Sequence, residues 1–237
     1  MKIYLHLAAL VVASATVLGG TASAQPAPRA YYSETDPGAL VQFRTALAPY
    51  GRWIDHPSYG TVWVPHRRVV GAGFTPYVTG GHWAYDDATG YVWVSDYAWG
   101  WAPFHYGRWV VIGNLGWAWI PGATYAGAWV DWRIGDATWD YVGWRPLAPT
   151  FIWRNGRAVR LGHAAAAPYA YVPHRSLFDR NLRGYVQRGP GAVRIERHTR
   201  EYTRAPGIQY GGPPPHSWGR QRPPITRPPH ATPRPRR

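Results

Sequence analysis

The feature that most constrains the fold is a spacing of tryptophan and glycine that occurs three times between residues 50 and 120. In each copy a Trp is followed by a Gly seven positions later and by a second Trp ten positions later. The copies are Trp53, Gly60 and Trp63; Trp83, Gly90 and Trp93; and Trp109, Gly116 and Trp119. Equal spacings in all copies indicate an internal repeat, in which one small structural unit is used again along the chain.

Each copy predicts an antiparallel β-hairpin. The second Trp is flanked by Val, Ala or Ile, which suit a strand next to an aromatic residue. Turn-forming residues fall near 56–60, 86–90 and 113–116, and the repeated Gly is expected to take a positive φ where the loop rejoins the strand. With each turn centred midway, the two Trp of a copy lie directly opposite each other. Tyr85–Tyr91 and Val111–Trp117 are then the next pairs on the same face.

The hairpin pattern continues in a divergent form after the three copies. A fourth hairpin is predicted from residues 128–132 and 141–145, and residues 151–153 and 170–172 are candidates for further strands. Residues 176–185 are expected to form a short helical turn. We therefore predict an all-β fold of about four repeated antiparallel hairpins, arranged as a Trp-rich sheet or sandwich.

One short helix is predicted before the first hairpin. Asp36-Pro37 suits a helix start, with Asp as the N-cap and Pro at the first helical position. Leu40, Phe43 and Leu47 recur at helical spacing, and Pro49 ends the run. We expect this helix to pack on the first hairpin.

The N-terminus has the features of a secretory signal peptide over residues 1–24, followed by a linker at 25–35. Leu5–Leu18 is a mostly apolar core, and Ala22-Ser23-Ala24 is a small-residue cleavage site. Cleavage after Ala24 would place the protein in the periplasm or outside the cell, and no transmembrane helix is predicted in the mature chain. Because the chain has no Cys, neither a disulfide nor a lipid-anchored Cys is available.

Positive charge is concentrated in the C-terminal part of the chain. Residues 44–149 contain seven Arg and seven Asp, whereas residues 150–237 contain seventeen Arg and three acidic residues, a net charge of +14. We divide the mature chain into a Trp-rich hairpin-repeat domain at 36–149, a basic extension at 150–203, and a Pro- and Arg-rich tail at 204–237 that is expected to be disordered. Arg suits phosphate or carboxylate partners. Genomic base composition is an alternative source of the same bias.

The aromatic residues supply the candidate ligand contacts. Thirteen of the fifteen Trp lie between Trp53 and Trp144, more than a small sheet easily hides, so a partly exposed aromatic face is predicted. The candidate ligand-binding residues are Trp53, Trp63, Trp83, Trp93, Trp109, Trp119, Arg52 and Arg108.

Sequence signatures of catalysis are weak. The chain has no Cys nucleophile and no Gly-x-Ser-x-Gly turn, its His residues lack the paired spacing of metal ligands, and no cofactor motif is present. The Asp residues of the Trp-rich domain are interpreted as turn and capping groups. The enzyme alternative requires Asp131, Asp136 or Asp140 to face another carboxylate in a Trp-lined cleft. Nucleic-acid binding is not favoured, because the aromatic residues lie in the neutral domain and the Arg residues lie after it.

Several motifs beyond the repeat occur in a fixed order. They are Tyr50-Gly51-Arg52-Trp53, Trp63-Val64-Pro65, Ser95–Pro103, His105–Trp109, Gly127–Arg133 and Tyr141–Trp144. In order and spacing the chain resembles, over roughly residues 40–185, the Trp-rich secreted bacterial family known as domain of unknown function 6600. The resemblance implies export from Gram-negative cells. It implies no established reaction and supplies no catalytic residues.

Two functional hypotheses follow. In the first, the protein is a non-enzymatic envelope protein whose aromatic β-module and cationic tail bind a glycan, a polyanionic envelope surface or another envelope protein. In the second, it is an enzyme that acts on cell-wall glycan through Asp residues in a Trp-lined cleft. The position of the three Asp residues in the fold distinguishes the two arrangements.

Overall fold

A computed structural model describes residues 38–86, 90–136, 138–202 and 212–213. The predicted signal peptide, the linker and the proposed N-cap at Asp36 lie outside these residues. The predicted tail at 204–237 also lies outside them, except for Gly212 and Pro213. The described chain consists mostly of antiparallel strands with a few short helices, so the predicted all-β class is confirmed.

The elements follow one another in short steps along the chain. The helices are α1 (Gly38–Leu47), α2 (Arg67–Val70), α3 (Leu182–Tyr185) and α4 (Pro190–Arg197). The strands are β1 (Gly51–His56), β2 (Gly60–Pro65), β3 (Gly81–Asp86), β4 (Gly90–Ser95), β5 (Arg108–Ile112), β6 (Gly116–Ile120), β7 (Val130–Gly135), β8 (Tyr141–Pro146), β9 (Phe151–Arg154), β10 (Arg157–Arg160), β11 (Ala170–Pro173) and β12 (Thr199–Glu201).

The three repeats are hairpins in the predicted register. The paired residues are Trp53 with Trp63, Trp83 with Trp93 and Trp109 with Trp119. Tyr85 pairs with Tyr91 and Val111 with Trp117, also as predicted. The divergent fourth hairpin, β7–β8, places Trp132 opposite Trp144 in the same way. The Trp spacing therefore specified the cross-strand partners.

The hairpins assemble into three sheets. The largest has the strand order β10-β9-β2-β6-β5, with β1 also paired to β2. A second sheet has the order β11-β8-β7-β12, and β3 and β4 form a two-stranded sheet. Hairpins one and three meet where Trp63 pairs with Trp119, which brings their tryptophan pairs together in one sheet.

A second repeated glycine is explained by indole packing within the hairpins. Gly51, Gly81 and Gly107 each precede the first Trp of a copy by two residues. A side-chain carbon added at Gly51 would lie 2.4 Å from Cε2 of Trp63, and one at Gly107 would lie 2.9 Å from Nε1 of Trp119. The second indole of the hairpin thus lies across this glycine and leaves no room for a side chain there.

The core is built largely from aromatic rings. Trp63 meets Trp99 edge to face, and Trp83 meets both Trp93 and Trp144 edge to face. Such pairs contribute about 0.5–1.5 kcal/mol beyond their buried area. The predicted contact of α1 with the first hairpin is present, since Nε1 of Trp63 donates to the Leu47 carbonyl at 3.2 Å. Phe43 also packs edge to face on Trp119 of the third hairpin. Leu40, Phe43 and Leu47 are all buried.

The basic extension belongs to the same sheets as the repeats. Strand β9 pairs with β2 where Trp153 lies beside Gly60, β11 pairs with β8, and β12 pairs with β7. The predicted strands at 151–153 and 170–172 are confirmed, and the helical region predicted at 176–185 contains α3. Strands β10 and β12 and helices α2 and α4 were not predicted. Strand β10 pairs with the adjacent β9, whereas β12 pairs with β7, which is distant in sequence.

Candidate anion-binding surface

Arginine side chains cover the outside of the C-terminal part of the fold. All ten Arg between residues 150 and 202 are exposed. They are Arg154, Arg157, Arg160, Arg175, Arg180, Arg183, Arg188, Arg194, Arg197 and Arg200. Within the part of the chain that the structure describes, none of the ten forms an ion pair with a carboxylate. Their charge is therefore available to an external anion.

The β9–β10 hairpin holds two of these arginines side by side. Its two-residue turn is Asn155-Gly156, with φ values of 49° and 72°, as a type I′ turn requires. Arg154 and Arg157 flank this turn directly opposite each other. Like charges in this position destabilise a hairpin by roughly 0.2–1 kcal/mol unless something binds between them. The Asn-Gly dipeptide between two Arg is a sequence signal for this hairpin that our sequence interpretation missed.

Helix α4 presents a second group of arginines. Ile195 is the buried residue of this helix, and Arg194 and Arg197 are exposed. Val193 is also exposed, at 51%, next to Arg194 and one helical turn before Arg197. Arg200, on the adjoining strand β12, is exposed as well. The helix is therefore anchored by one apolar residue while its outer side is cationic.

An ion-pair network attaches α4 and β12 to the second sheet. Arg133 of β7 donates to Oγ1 of Thr199 at 3.1 Å, to the Glu196 carbonyl at 3.1 Å and to the Thr199 carbonyl. Arg145 of β8 lies 3.6 Å from the Glu201 carboxylate. These half-buried arginines are engaged by the protein itself and hold the exposed arginines in place.

Tyr169 contacts this network through both its ring and its hydroxyl. The guanidinium of Arg145 lies 4.4 Å from the centre of its ring, and its hydroxyl donates to Glu201 at 3.3 Å. Burial raises the pKa of Tyr169 well above its ordinary value, although the nearby Arg145 acts to lower it. Tyr169 therefore stays neutral at physiological pH and donates a hydrogen bond to Glu201.

The predicted exposed aromatic face is not formed by the tryptophans of the repeat. Trp63, Trp83, Trp93, Trp109 and Trp119 are each at most 2% exposed. Their rings pack on one another in the core, so no free ring surface is available to a ligand. The number of tryptophans suggested that a small sheet could not bury all of their rings, but three sheets and α1 together cover these five. This part of the predicted binding site is wrong.

Three further predicted contacts lie in different environments. Arg108 is 4% exposed, and its guanidinium carbon lies 3.3 Å from the ring centre of Trp129, so it belongs to the core rather than to a surface. Trp53 is half-buried with Arg44 over its ring at 5.5 Å. Arg52 is exposed, and its predicted ligand contact stays a prediction.

The three Asp residues on which the enzyme alternative depends each contact polar or basic groups. Asp136 is fully exposed and accepts hydrogen bonds from Thr138 and from the Trp139 backbone, and the Thr138 hydroxyl contact lowers its pKa most strongly. Asp140, 62% exposed, contacts Nδ1 of His174 at 2.6 Å. Asp131 lies 3.6 Å from Arg145, the same guanidinium that contacts Glu201. These groups act as a turn cap and as ion-pair partners.

Two general properties of the described residues bear on partners. No helix among them is long and apolar enough to cross a bilayer. Nor do they contain a group of at least three His, Asp or Glu side chains that could hold a metal ion.

Comparison with known proteins gave a family match and no individual relative. Neither the search of curated proteins nor the search of solved structures returned a match. The family comparison matched residues 44–151 to a family of unknown function, DUF6600. The matched segment covers α1 from Arg44, the four hairpins and the start of β9. This match confirms the resemblance to the DUF6600 family over the Trp-rich hairpin region.

Proposed function

We propose that the protein is a non-enzymatic component of the bacterial envelope that binds polyanionic surfaces through the exposed arginines of residues 150–202. The observation that carries this proposal is that all ten of these arginines are exposed and none forms an ion pair among the described residues. Export to the periplasm or the cell exterior is part of the proposal and has its support in the N-terminal sequence.

The charge balance of this region favours an anionic partner. Residues 150–202 contain ten Arg and three acidic residues, a net charge of +7. One of the acids, Glu201, is already engaged by Arg145. Because the guanidinium group stays charged and donates in pairs, it suits phosphate, sulfate or carboxylate groups repeated along a polymer or a headgroup layer.

The burial of the aromatic residues favours a polyanion over a glycan as the partner. Glycan binding through stacked rings needs exposed aromatic faces, and five of the six repeat tryptophans are buried. The repeat therefore acts as a rigid scaffold that positions the basic surface. Polyanion recognition by charge needs only this surface and a flexible geometry.

The test compares two arginine clusters with a control. One variant carries Gln at Arg154, Arg157 and Arg160, and a second carries Gln at Arg194, Arg197 and Arg200. The control carries Gln at Arg44, Arg67 and Arg68, which are exposed but lie in the neutral part of the chain. Binding is measured to vesicles of phosphatidylcholine with and without phosphatidylglycerol, and to dextran sulfate.

All three variants lose the same formal charge, so an effect of net charge alone would lower binding equally in each. We expect both C-terminal variants to bind anionic vesicles and dextran sulfate several times more weakly than the control does. Equal binding by all three variants would show that the C-terminal surface is not the binding site. Full binding to neutral vesicles would show that charge is not the basis of recognition.

A further inference from the structure

Gly212 and Pro213, in the C-terminal tail, pack against the hairpin domain. Gly212 and Pro213 belong to the run Gly-Gly-Pro-Pro-Pro at residues 211–215, and Pro213 is buried. A side-chain carbon added at Gly212 would lie 2.5 Å from Cδ2 of Tyr91 and 2.9 Å from Cε2 of Trp132. The backbone at Gly212 therefore rests directly on two aromatic rings.

These rings come from separate parts of the fold. Tyr91 lies on β4, Trp132 lies on β7, and Phe178 follows β11. The ring centres of Tyr91 and Trp132 are 4.9 Å apart, and Phe178 stacks on Tyr91 with an interplanar angle of 15°. We call Tyr91, Trp132 and Phe178 the aromatic cradle.

We propose that the aromatic cradle is a recognition site for glycine–proline segments, and that the chain fills it with its own Gly212–Pro213. Proline-rich segments bind to sites lined by aromatic rings because the extended proline backbone is already ordered and loses little entropy on binding. The cradle offers such rings at the junction of the two-stranded sheet and the second sheet. This proposal does not depend on polyanion binding.

The geometry requires glycine before the proline. Non-bonded carbon atoms pack at about 3.5–4.0 Å, so an added carbon at 2.5 Å from Tyr91 cannot be accommodated without displacing the backbone. The tail contains further proline pairs, Pro223-Pro224 and Pro228-Pro229, but neither follows a glycine. These pairs therefore lack the glycine that the contact with Tyr91 requires, whereas the Gly-Pro sequence at 212–213 has it.

A labelled peptide with the sequence of residues 211–216, Gly-Gly-Pro-Pro-Pro-His, tests the site on the full chain. In the wild-type protein the tethered segment competes with the peptide at an effective concentration on the order of mM. Gly212→Ala displaces the segment and frees the cradle. If the cradle is open about a tenth of the time in the wild type, fluorescence anisotropy will show about tenfold tighter peptide binding to the variant.

Matched controls separate recognition from a general effect on the tail. Gly219→Ala changes another tail glycine and should bind the peptide as the wild type does. Pro213→Asp should displace the segment by a different route and give the same gain as Gly212→Ala. A peptide with Ala at its second position should fail to bind. Equal peptide binding by wild type and Gly212→Ala would overturn the proposal, as would equal binding of the glycine and alanine peptides.

Discussion

Glycine acts in two distinct ways in each repeat. Gly60, Gly90 and Gly116 have φ values of 65°, 78° and 76°, and each begins the second strand of its hairpin. Gly51, Gly81 and Gly107 instead provide room for an indole. The two roles overlap at Gly60, where an added carbon would lie 1.8 Å from the Trp153 carbonyl oxygen, and at Gly107, whose φ is 68°. Gly116 and Gly81 separate the roles, because nothing lies within 4 Å of a carbon added at Gly116 and Gly81 has no positive φ.

Valine at Gly116 tests the conformational role alone. No atom lies within 4 Å of a carbon added there, but its φ of 76° is unfavourable for a β-branched residue. We expect Gly116→Val to lower the free energy of unfolding by about 1 kcal/mol or more. Gly113→Val, which also has open space but no positive φ, should cost less. Thermal denaturation of both variants is the measurement, and equal melting temperatures would contradict the role assigned to φ.

Alanine at Gly81 tests the steric role. A carbon added there would lie 2.3 Å from the Val94 carbonyl oxygen and 2.8 Å from two carbons of the Trp93 indole. Because both neighbours belong to the core hairpin, we expect Gly81→Ala to cost about 1–3 kcal/mol, as overpacking of a core does. Gly113→Ala serves as the neutral control in chemical denaturation. A Gly81→Ala variant as stable as the wild type would mean that the indole moves aside without cost.

At the scale of elements, hairpins were predictable and their assembly was not. Trp pairs, a turn and a glycine lie within about a dozen residues, so a local pattern determines each hairpin's register. The pairing of β9 with β2 and of β12 with β7 joins residues far apart in sequence, and no local pattern encodes it. The same limit explains the wrong aromatic face, since ring burial depends on how the sheets pack.

The β9–β10 hairpin illustrates a conflict between stability and binding within one element. Arg154 and Arg157 repel each other across the strands, so Arg157→Glu replaces repulsion with attraction. We expect this substitution to raise the free energy of unfolding by about 0.2–1 kcal/mol and to weaken polyanion binding. Arg160→Glu, opposite Phe151, makes the same charge change without that neighbour and should not stabilise the hairpin. Loss of stability in Arg157→Glu would contradict the repulsion.

At the scale of the whole molecule, contacts between His174 and Asp140 join two segments that are distant in sequence. The Asp140 carbonyl accepts the His174 backbone N–H at 3.1 Å, and the side chains meet at 2.6 Å, which joins the start of β8 to the end of β11. Burial lowers the pKa of His174 below its ordinary value of 6.5, although Asp140 opposes this. Burial also lowers the pKa of His82.

These lowered pKa values predict a loss of stability in mild acid. A histidine with a lower pKa in the folded state binds a proton more readily when unfolded, so stability is complete above the unfolded value and declines as the pH falls below about 6.5. His174→Gln should reduce this decline between about pH 7 and 5. Urea denaturation across this range is the measurement. Equal slopes for wild type and His174→Gln would contradict the assignment.

The net charge of the molecule is divided between the folded surface and the tail. Residues 150–202 carry +7, and residues 203–237 carry seven Arg and no acids, also +7. A tail held near the domain by Gly212–Pro213 would allow the folded surface and the tail to bind the same anionic partner. Binding should weaken with salt whether the folded surface or the tail contacts the anion, because the Debye length falls from ~10 Å at 0.1 M to ~3 Å at 1 M.

Two variants with the same charge separate these contributions. A chain that stops after Pro215 keeps the docked segment and loses six Arg, which lowers the net charge from +14 to +8. The second variant carries Gln at six surface arginines and reaches the same +8; the positions are Arg154, Arg157, Arg160, Arg194, Arg197 and Arg200. Because the surface arginines are held in fixed positions by β9–β10 and α4, we expect the second variant to lose at least as much binding to anionic vesicles at low salt. If only the shortened chain loses binding, the tail alone is the anion-binding element and the folded surface has another role.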